Sequence, residues 1–261
     1  MKVSVYIIAF NEEEKIRECI NSVLWADEII LADSYSTDNT PIIAQELGVK
    51  VVNIKFSGFG NLRNEAVKNC SNDWILSIDA DERCTPEVEN EIKSILKAPK
   101  SDIYFIPRRN FFMGRWIRYS GWYPNYRQPQ LFKKNMMTYD LKPVHEGYIS
   151  LSSKQIGKLN SSIWQIPFKD FTEVVHKANK YSSLGVQKLK DRGKNSNVLI
   201  AFLHGFWAFF KHYFLKLGIL DGGPGFVIAF SNFEGTFYRY LKLYEDSQNW
   251  EVPKNYKESN K

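Results

Sequence analysis

Cysteine is scarce in this chain: only Cys19, Cys70 and Cys84 occur among 261 residues. An odd number with no metal-ligand spacing excludes a disulfide framework and a zinc motif, and fits a reducing compartment. A glycine-rich phosphate loop is also missing. The first apolar run, residues 3–9, passes instead through Phe10 into Asn11-Glu12-Glu13-Glu14, and three acids in a row there repel a triphosphate. The same run lacks the small-residue cleavage site of a secretion signal, so we expect a strand there and no export. No internal repeat is present. The longest apolar run, residues 198–210, is too short to span a bilayer and lysines follow it at once.

The net charge of +6 is unevenly placed. Residues 1–150 carry 19 Lys and Arg against 20 Asp and Glu, whereas residues 151–261 carry 16 against 9. A basic C-terminal part suits nucleic acid or an anionic membrane surface. Its aromatic residues cluster in apolar runs and do not alternate with basic ones as a base-stacking platform would, so no nucleic-acid partner is expected.

What is present is an alternation of strands and helices. Residues 3–9 suit a strand covered on both faces of a parallel sheet. Asn11 and Glu14 have capping-box spacing, so Asn11 is expected to cap a helix whose apolar face holds Ile16, Cys19, Ile20, Val23 and Leu24. Residues 28–33 form the second strand, Pro41 opens and Gly48 closes the second helix, and residues 49–54 form the third strand. A helix around Arg63 follows. The next strand, from Trp74, runs into Asp79-Ala80-Asp81-Glu82, and Thr85-Pro86 starts another helix. The expectation is an α/β fold, a Rossmann-like doubly wound, mostly parallel sheet. Helices at residues 170–192 and 226–244, and an interfacial helix with basic flanks at 198–210, make a C-terminal helical extension.

Asp79 and Asp81 are one residue apart at a strand end, so both can face the same way and hold a hard divalent cation with its phosphates. The same triplet also makes turns and caps helices. Between residues 108 and 130, Arg115, Arg118 and Arg127 mix with Trp116, Trp122, Tyr123 and Tyr126. That segment is either an aromatic connector or a wall for a polar ring-shaped ligand.

Ala9-Phe10-Asn11-Glu12, then Asp33-Ser34 with Ser36, Asp38 and Thr40, then Arg63-Asn64, then Asp79-Ala80-Asp81 resemble, in that order, the motifs of the family 2 inverting glycosyltransferases of GT-A fold. Gly121-Trp122-Tyr123-Pro124, Val144-His145-Glu146, Arg192-Gly193-Lys194, Phe202-Leu203-His204 and Leu220-Asp221-Gly222 narrow the resemblance. They look like the bacterial beta-1,4-glucosyltransferases of lipopolysaccharide or lipooligosaccharide core. The resemblance implies transfer of a hexose, glucose foremost, from UDP-glucose to a saccharide or lipid-linked saccharide acceptor, with inversion. It implies a catalytic domain over residues 1–168 and a basic, aromatic-rich helical region over 169–261 for membrane association or oligomerisation. The chain is then cytoplasmic, peripheral on the inner face of the cytoplasmic membrane.

In that resemblance Asp33 contacts the donor's base, Asp79 lies by the ribose and diphosphate, and Asp81 reaches a Mg²⁺ or Mn²⁺ ion on the diphosphate. Ala9, Asn11, Glu12, Ser34, Asp38, Ala80 and Trp122 belong to the same motifs and are expected to bind substrate. Arg63 is either a donor contact or a surface helix arginine. An acceptor hydroxyl must lose its proton to a nearby base, and one carboxylate suffices for a single inverting displacement. Glu146 is the candidate, its alternative being an ion-paired loop carboxylate; His145 either orients it, approaches the metal, or is structural. Many members carry a His in the stretch matching Trp164-Gln165-Ile166-Pro167, where this chain has Gln165. Two other classes compete. A sugar nucleotidyltransferase needs the phosphate loop that the acids after the first strand replace, and a non-catalytic membrane-binding module rests on the basic half alone.

Overall fold

Residues 3–9 have no solvent-facing side, and they form the central strand β1 (Val3–Ala9), buried throughout. This computed structural model describes residues 1–126, 128–141 and 147–248, so His145 and Glu146 lie outside the described residues. Helix α1 (Glu13–Asn21) follows β1, then β2 (Glu28–Asp33), α2 (Thr40–Glu46), β3 (Lys50–Asn53), α3 (Phe59–Asn69) and β4 (Trp74–Asp79). All pairings among these four strands are parallel, in the order β4-β1-β2-β3. The chain therefore moves outward from β1 to β3, then returns to place β4 on the other side of β1. That reversal creates a crevice at the carboxyl ends of β1 and β4.

Next come β5 (Glu82–Arg83), α4 (Pro86–Lys97), β6 (Ile103–Phe105), β7 (Arg108–Phe112), β8 (Arg115–Ile117), β9 (Leu131–Lys133), β10 (Met137–Tyr139), β11 (Tyr148–Ser150), β12 (Gly157–Lys158) and β13 (Ile163–Gln165). Thr85 caps α4 by accepting the Val88 N–H at 3.4 Å. Strand β9 runs antiparallel to both β4 and β6. The α4 crossover brings β6 into β4's direction but leaves a gap beside β4, and β9 fills it without a crossover helix of its own. The main sheet thus has seven strands, β12-β6-β9-β4-β1-β2-β3, and is mostly parallel. Successive residues of β1 and β4 face opposite cores: Ile7, Leu76 and Ile78 join Ile16, Ile20, Val88 and Ile92, while Tyr6 and Ile75 join Leu62, Ala66 and Phe132. Smaller sheets, β10-β11 and β5-β13-β7-β8, complete this part.

The chain divides into two compact units, Met1–Arg118 with Trp122–Pro167, and Tyr119–Gly121 with Phe168–Lys261. The second is helical. Helix α5 (Phe171–Lys190) is capped by Asp170, which accepts the Glu173 N–H at 2.8 Å. Helix α6 (Val198–Phe210) is capped by Asn197 and runs on as a π turn, Lys211–Leu215. The apolar rod is therefore longer than the 13-residue run suggested, because the π turn continues it past Lys211. A 3₁₀ turn, Gly218–Asp221, leads into α7 (Gly223–Asp246). Asp221 is buried and accepts from the Tyr119 N–H and, at 2.9 Å, from the Ser120 hydroxyl. A Cβ on Gly225 would stand 1.9 Å from the Gly218 carbonyl, so only glycine lets α7 begin against this turn.

Candidate active site

Parallel pairing sets Ala9 opposite Asp33 and Ile8 opposite Asp79, so the carboxyl ends of β1, β2 and β4 form one edge. Two loops line it and are laced together. Ser36 Oγ accepts the Asn11 N–H at 2.9 Å, Asn11 Oδ1 accepts the Thr37 N–H at 2.8 Å, and Thr40 Oγ1 accepts the Glu12 N–H at 2.8 Å. This corrects the expected capping box. Glu12, not Asn11, is the N-cap of α1 and makes no side-chain cap, because the Asn11 oxygen is engaged across the loops. Asn11 adopts a φ of 55°, a left-handed conformation that asparagine tolerates.

Asp33 and Asp38 shape these loops. Asp33 is 1% exposed and accepts both the N–H and the hydroxyl of Ser36, at 2.9 and 2.5 Å. Burial works to raise the Asp38 carboxyl, but hydrogen bonds from Thr40 and the Glu13 N–H outweigh it and hold its pKa below the ordinary value. Ser34 Oγ, at the end of β2, is buried with no hydrogen-bond partner among the described residues. At this edge the buried hydroxyl leaves a hydrogen bond open to water or to a ligand's polar atom.

Beyond β4, Asp79-Ala80-Asp81 turns under tight control. Arg63 is buried, so it is not a surface helix arginine: it donates to Asp79 Oδ1 at 2.8 Å and to Ser77 Oγ at 3.0 Å. Burial opposes the Arg63 charge, but the Asp79 carboxylate outweighs it and keeps the guanidinium cationic. Glu82, fully buried, holds the turn from beneath. Its Oε2 accepts the Asp79 N–H at 3.0 Å and the Gln130 amide at 2.9 Å, and its Oε1 pairs with Arg108 Nε. The Ile166 N–H donates to the Asp81 carbonyl at 2.8 Å. Gln165 Nε2 donates to the Asp81 carboxylate, 3.2 and 3.3 Å from its two oxygens. Position 165 is thus beside Asp81. Trp122 is half-buried against Phe112, and its carbonyl accepts from Asn110 on β7 at 2.8 Å.

Of the three carboxylates here, Asp79 is paired with Arg63 and Glu82 with Arg108, and the charge at Asp81 is the one least compensated. Burial, and then the neighbouring Asp79 carboxylate, push the Asp81 pKa up to about 6, against the Gln165 hydrogen bond. Burial also raises Glu82, with Arg108 pulling the other way. A divalent cation fits this donor set: two hard oxygen ligands whose mutual repulsion it would relieve. Among the described residues no three His, Cys, Asp or Glu side chains converge into a ready cage. Such an ion would draw further ligands from diphosphate oxygens and water, as Mg²⁺ commonly does.

In the sequence Asn64 stands beside Arg63 with no role of its own to read. In the fold its Oδ1 accepts the Tyr139 N–H and its Nδ2 donates to the Tyr139 carbonyl, both at 2.9 Å. Strand β10 is thereby pinned to α3 next to Arg63, and Asp140 Oδ1 accepts the Gly147 N–H at 2.8 Å where β10 leads toward β11. The residues between Asp140 and Gly147 include His145 and Glu146. Asn64→Ala is expected to destabilise the protein by about 1–3 kcal/mol, since both backbone polar groups of Tyr139 lose a partner. Faster hydrogen exchange confined to β10 and β11 would show it; unchanged exchange there would mean that the anchor lies elsewhere.

Fold and edge together define the class, an open α/β fold of the kind whose ligands bind beyond the carboxyl ends of its parallel strands. The chain belongs to glycosyl transferase family 2, whose sequence model matches residues 4–155. Membership makes it a sugar transferase that draws on a nucleotide-sugar donor. It is 34% identical to an uncharacterized glycosyltransferase of Rickettsia bellii, over 94% of this chain and 86% of that protein. It is 26% identical to the lipopolysaccharide core biosynthesis glycosyltransferase LpsC of Rhizobium meliloti, over 94% and 93%. Among solved structures, it is similar to the Mycobacterium tuberculosis glucosyl-3-phosphoglycerate synthase in complex with Mn²⁺, UDP and glucosyl-3-phosphoglycerate. That match has 28% identity, covers 41% of this chain and 44% of the other, and has a TM-score of 0.37.

Proposed function

We propose that the chain transfers glucose from UDP-glucose to a saccharide of lipopolysaccharide-core type, free or lipid-linked, with inversion at the anomeric carbon. The observation that carries this is the Asp79-Ala80-Asp81 turn at the switch point of the sheet, where Asp79 is paired with Arg63 and the Asp81 carboxylate beside it is met by the neutral Gln165 amide. The relative LpsC, named for lipopolysaccharide core biosynthesis and aligned over nearly its whole length, supports the acceptor class.

Asp81 holds Mg²⁺ or Mn²⁺, and Asp79, set by Arg63, holds the ribose and diphosphate side of the donor. When bound, the cation neutralises charge growing on the departing diphosphate. Asp33, Ser34 and Asp38, with Ala9, Asn11 and Glu12 across the loop, form the pocket for the base; Ala80 and Trp122 border the sugar. Glu146 takes the proton of the acceptor hydroxyl, and His145 orients it. Residues 1–168 are the catalytic domain. Residues 169–261 serve membrane association or self-association, on the inner face of the cytoplasmic membrane.

A panel of nucleotide sugars, each with and without chelator, tests the reading. UDP-glucose should be consumed only with a divalent ion, and the product should carry the inverted anomeric configuration by NMR. Preference for another donor, or a retained configuration, would overturn it. Glu146→Gln should bind donor normally and transfer about a hundredfold more slowly or worse, since an amide keeps the shape but takes no proton. Near-full turnover in that variant would move the base to Asp140 or His145.

A further inference from the structure

Helix α6 and the two turns between it and α7 expose far more apolar surface than a self-contained helical unit needs. Leu199, Leu203, Phe206, Trp207, Leu215 and Leu220 are each more than half exposed. At roughly 100° per residue, the four of these on α6 fall within an arc of about 100°, with Lys211 just beyond its edge. The charges around this face have one sign. Between residues 195 and 233 the basic residues are Lys211 and Lys216, and the single acid, Asp221, is buried at 2% exposure on Tyr119 and Ser120.

We propose that this face lies flat in the interface of an anionic phospholipid bilayer, with the exposed Lys211 among the lipid phosphates. The proposal rests on the reading that residues 169–261 serve attachment, and it commits that reading to one occupant and one depth. A second copy of the chain suits the surface less well. An isologous contact would press two sets of lysines together with no exposed acid between them, whereas an anionic surface complements them.

Depth is set by the other side of the helix. Residues Val198–Leu215 are long and apolar enough to cross a membrane by length and composition. Yet the back of α6 is closed against α7: a Cβ on Gly205 would stand 3.0 Å from the Phe233 ring, Phe202 packs edge-on to Phe233, and Phe209 packs on Phe226. Helix α7 is in turn bound to α5 through charges, Lys242 Nζ donating to Asn179 Oδ1 at 2.6 Å and Lys190 pairing with Asp246 at 2.9 Å. Crossing would strip α6 from α7 or draw those charges into hydrocarbon. Lying in the interface leaves them in water and covers only the apolar face.

Flotation of the full chain with phosphatidylcholine vesicles, with and without phosphatidylglycerol, reads the first part. Binding should need the anionic lipid and weaken as salt rises. Leu199→Glu, Leu203→Glu and Phe206→Glu together should weaken it at least about tenfold, and Lys211→Gln about fivefold. These positions are exposed and outside the catalytic machinery, so circular dichroism and UDP-glucose hydrolysis should not change. Depth is read with a fluorophore on Trp207→Cys, since the native cysteines are all buried. Nitroxide near the lipid headgroup should quench it more than nitroxide at the acyl end. Deepest quenching at the bilayer centre would overturn the interfacial placement. Failure to float at low salt, with a dimer mass that falls to monomer in the triple variant, would make the face a self-association surface. Neither flotation nor quenching contains donor or acceptor, so their failure leaves the transferase reading standing, and loss of UDP-glucose activity leaves this one standing.

Discussion

Asp81→Asn is expected to abolish divalent-dependent sugar transfer, by a factor of ~10³ or more in turnover, while leaving the fold intact. In the proposed reading the cation's ligand is the Asp81 carboxylate, which Gln165 Nε2 holds just beyond β4 while the Ile166 N–H holds the Asp81 carbonyl, and an amide binds a hard cation poorly. Stability should move in the opposite direction to activity. In the metal-free chain the Asp81 pKa stands at about 6 against an ordinary 3.8, so the folded state holds a proton that the unfolded chain has released between those values. Folding stability therefore falls as pH rises from about 4 to about 6, and stays reduced above that. Asparagine lacks this penalty. The variant and parent should melt alike near pH 4 in chelator, and the variant should melt higher near pH 7. Full divalent-dependent turnover in Asp81→Asn would sink the metal role. A lower melting point at pH 7 would show instead that the carboxylate supports the fold.

Much of the sheet was legible because β1, β2 and β4 are covered on both faces and read as apolar runs that end in chemistry. Strand β9 was not. Its three residues have no period, and its antiparallel direction follows from a gap that α4 and β6 create elsewhere in the chain. Asn11 misled for a related reason: capping-box spacing is local, whereas the Thr37 N–H that claims its side chain lies 26 residues away. Arg63 showed the right helix but not its environment, since its burial depends on Ser77 and Asp79 of a later strand. The residues at the carboxyl edge of the sheet were legible as motifs. What holds them was not, because Glu82, Asn64 and Gln130 act through partners distant in sequence.

Glu82→Ala should be among the most damaging single changes in the chain. Glu82 follows Asp81 directly and reads as one more acid in a run, yet strand alternation turns it inward, where it is fully buried against Arg108. Removing it leaves the Arg108 guanidinium buried without its counter-charge and takes an acceptor from Gln130 and from the Asp79 N–H. Breaking a buried pair in this way costs about 3–5 kcal/mol, a fall in melting temperature on the order of 10 °C for a chain of this size. Stability alone would not separate support of the fold from support of the site. Replacing both partners, Glu82→Leu with Arg108→Met, removes the orphaned charge and should recover most of the melting temperature, since an apolar pair of similar volume is commonly neutral. Turnover should not recover with it, because nothing then accepts the Asp79 N–H and the turn that presents Asp79 and Asp81 loses its support from below. Recovery of turnover along with stability would reduce Glu82 to a structural ion pair. A melting point unchanged in Glu82→Ala would remove the clasp altogether.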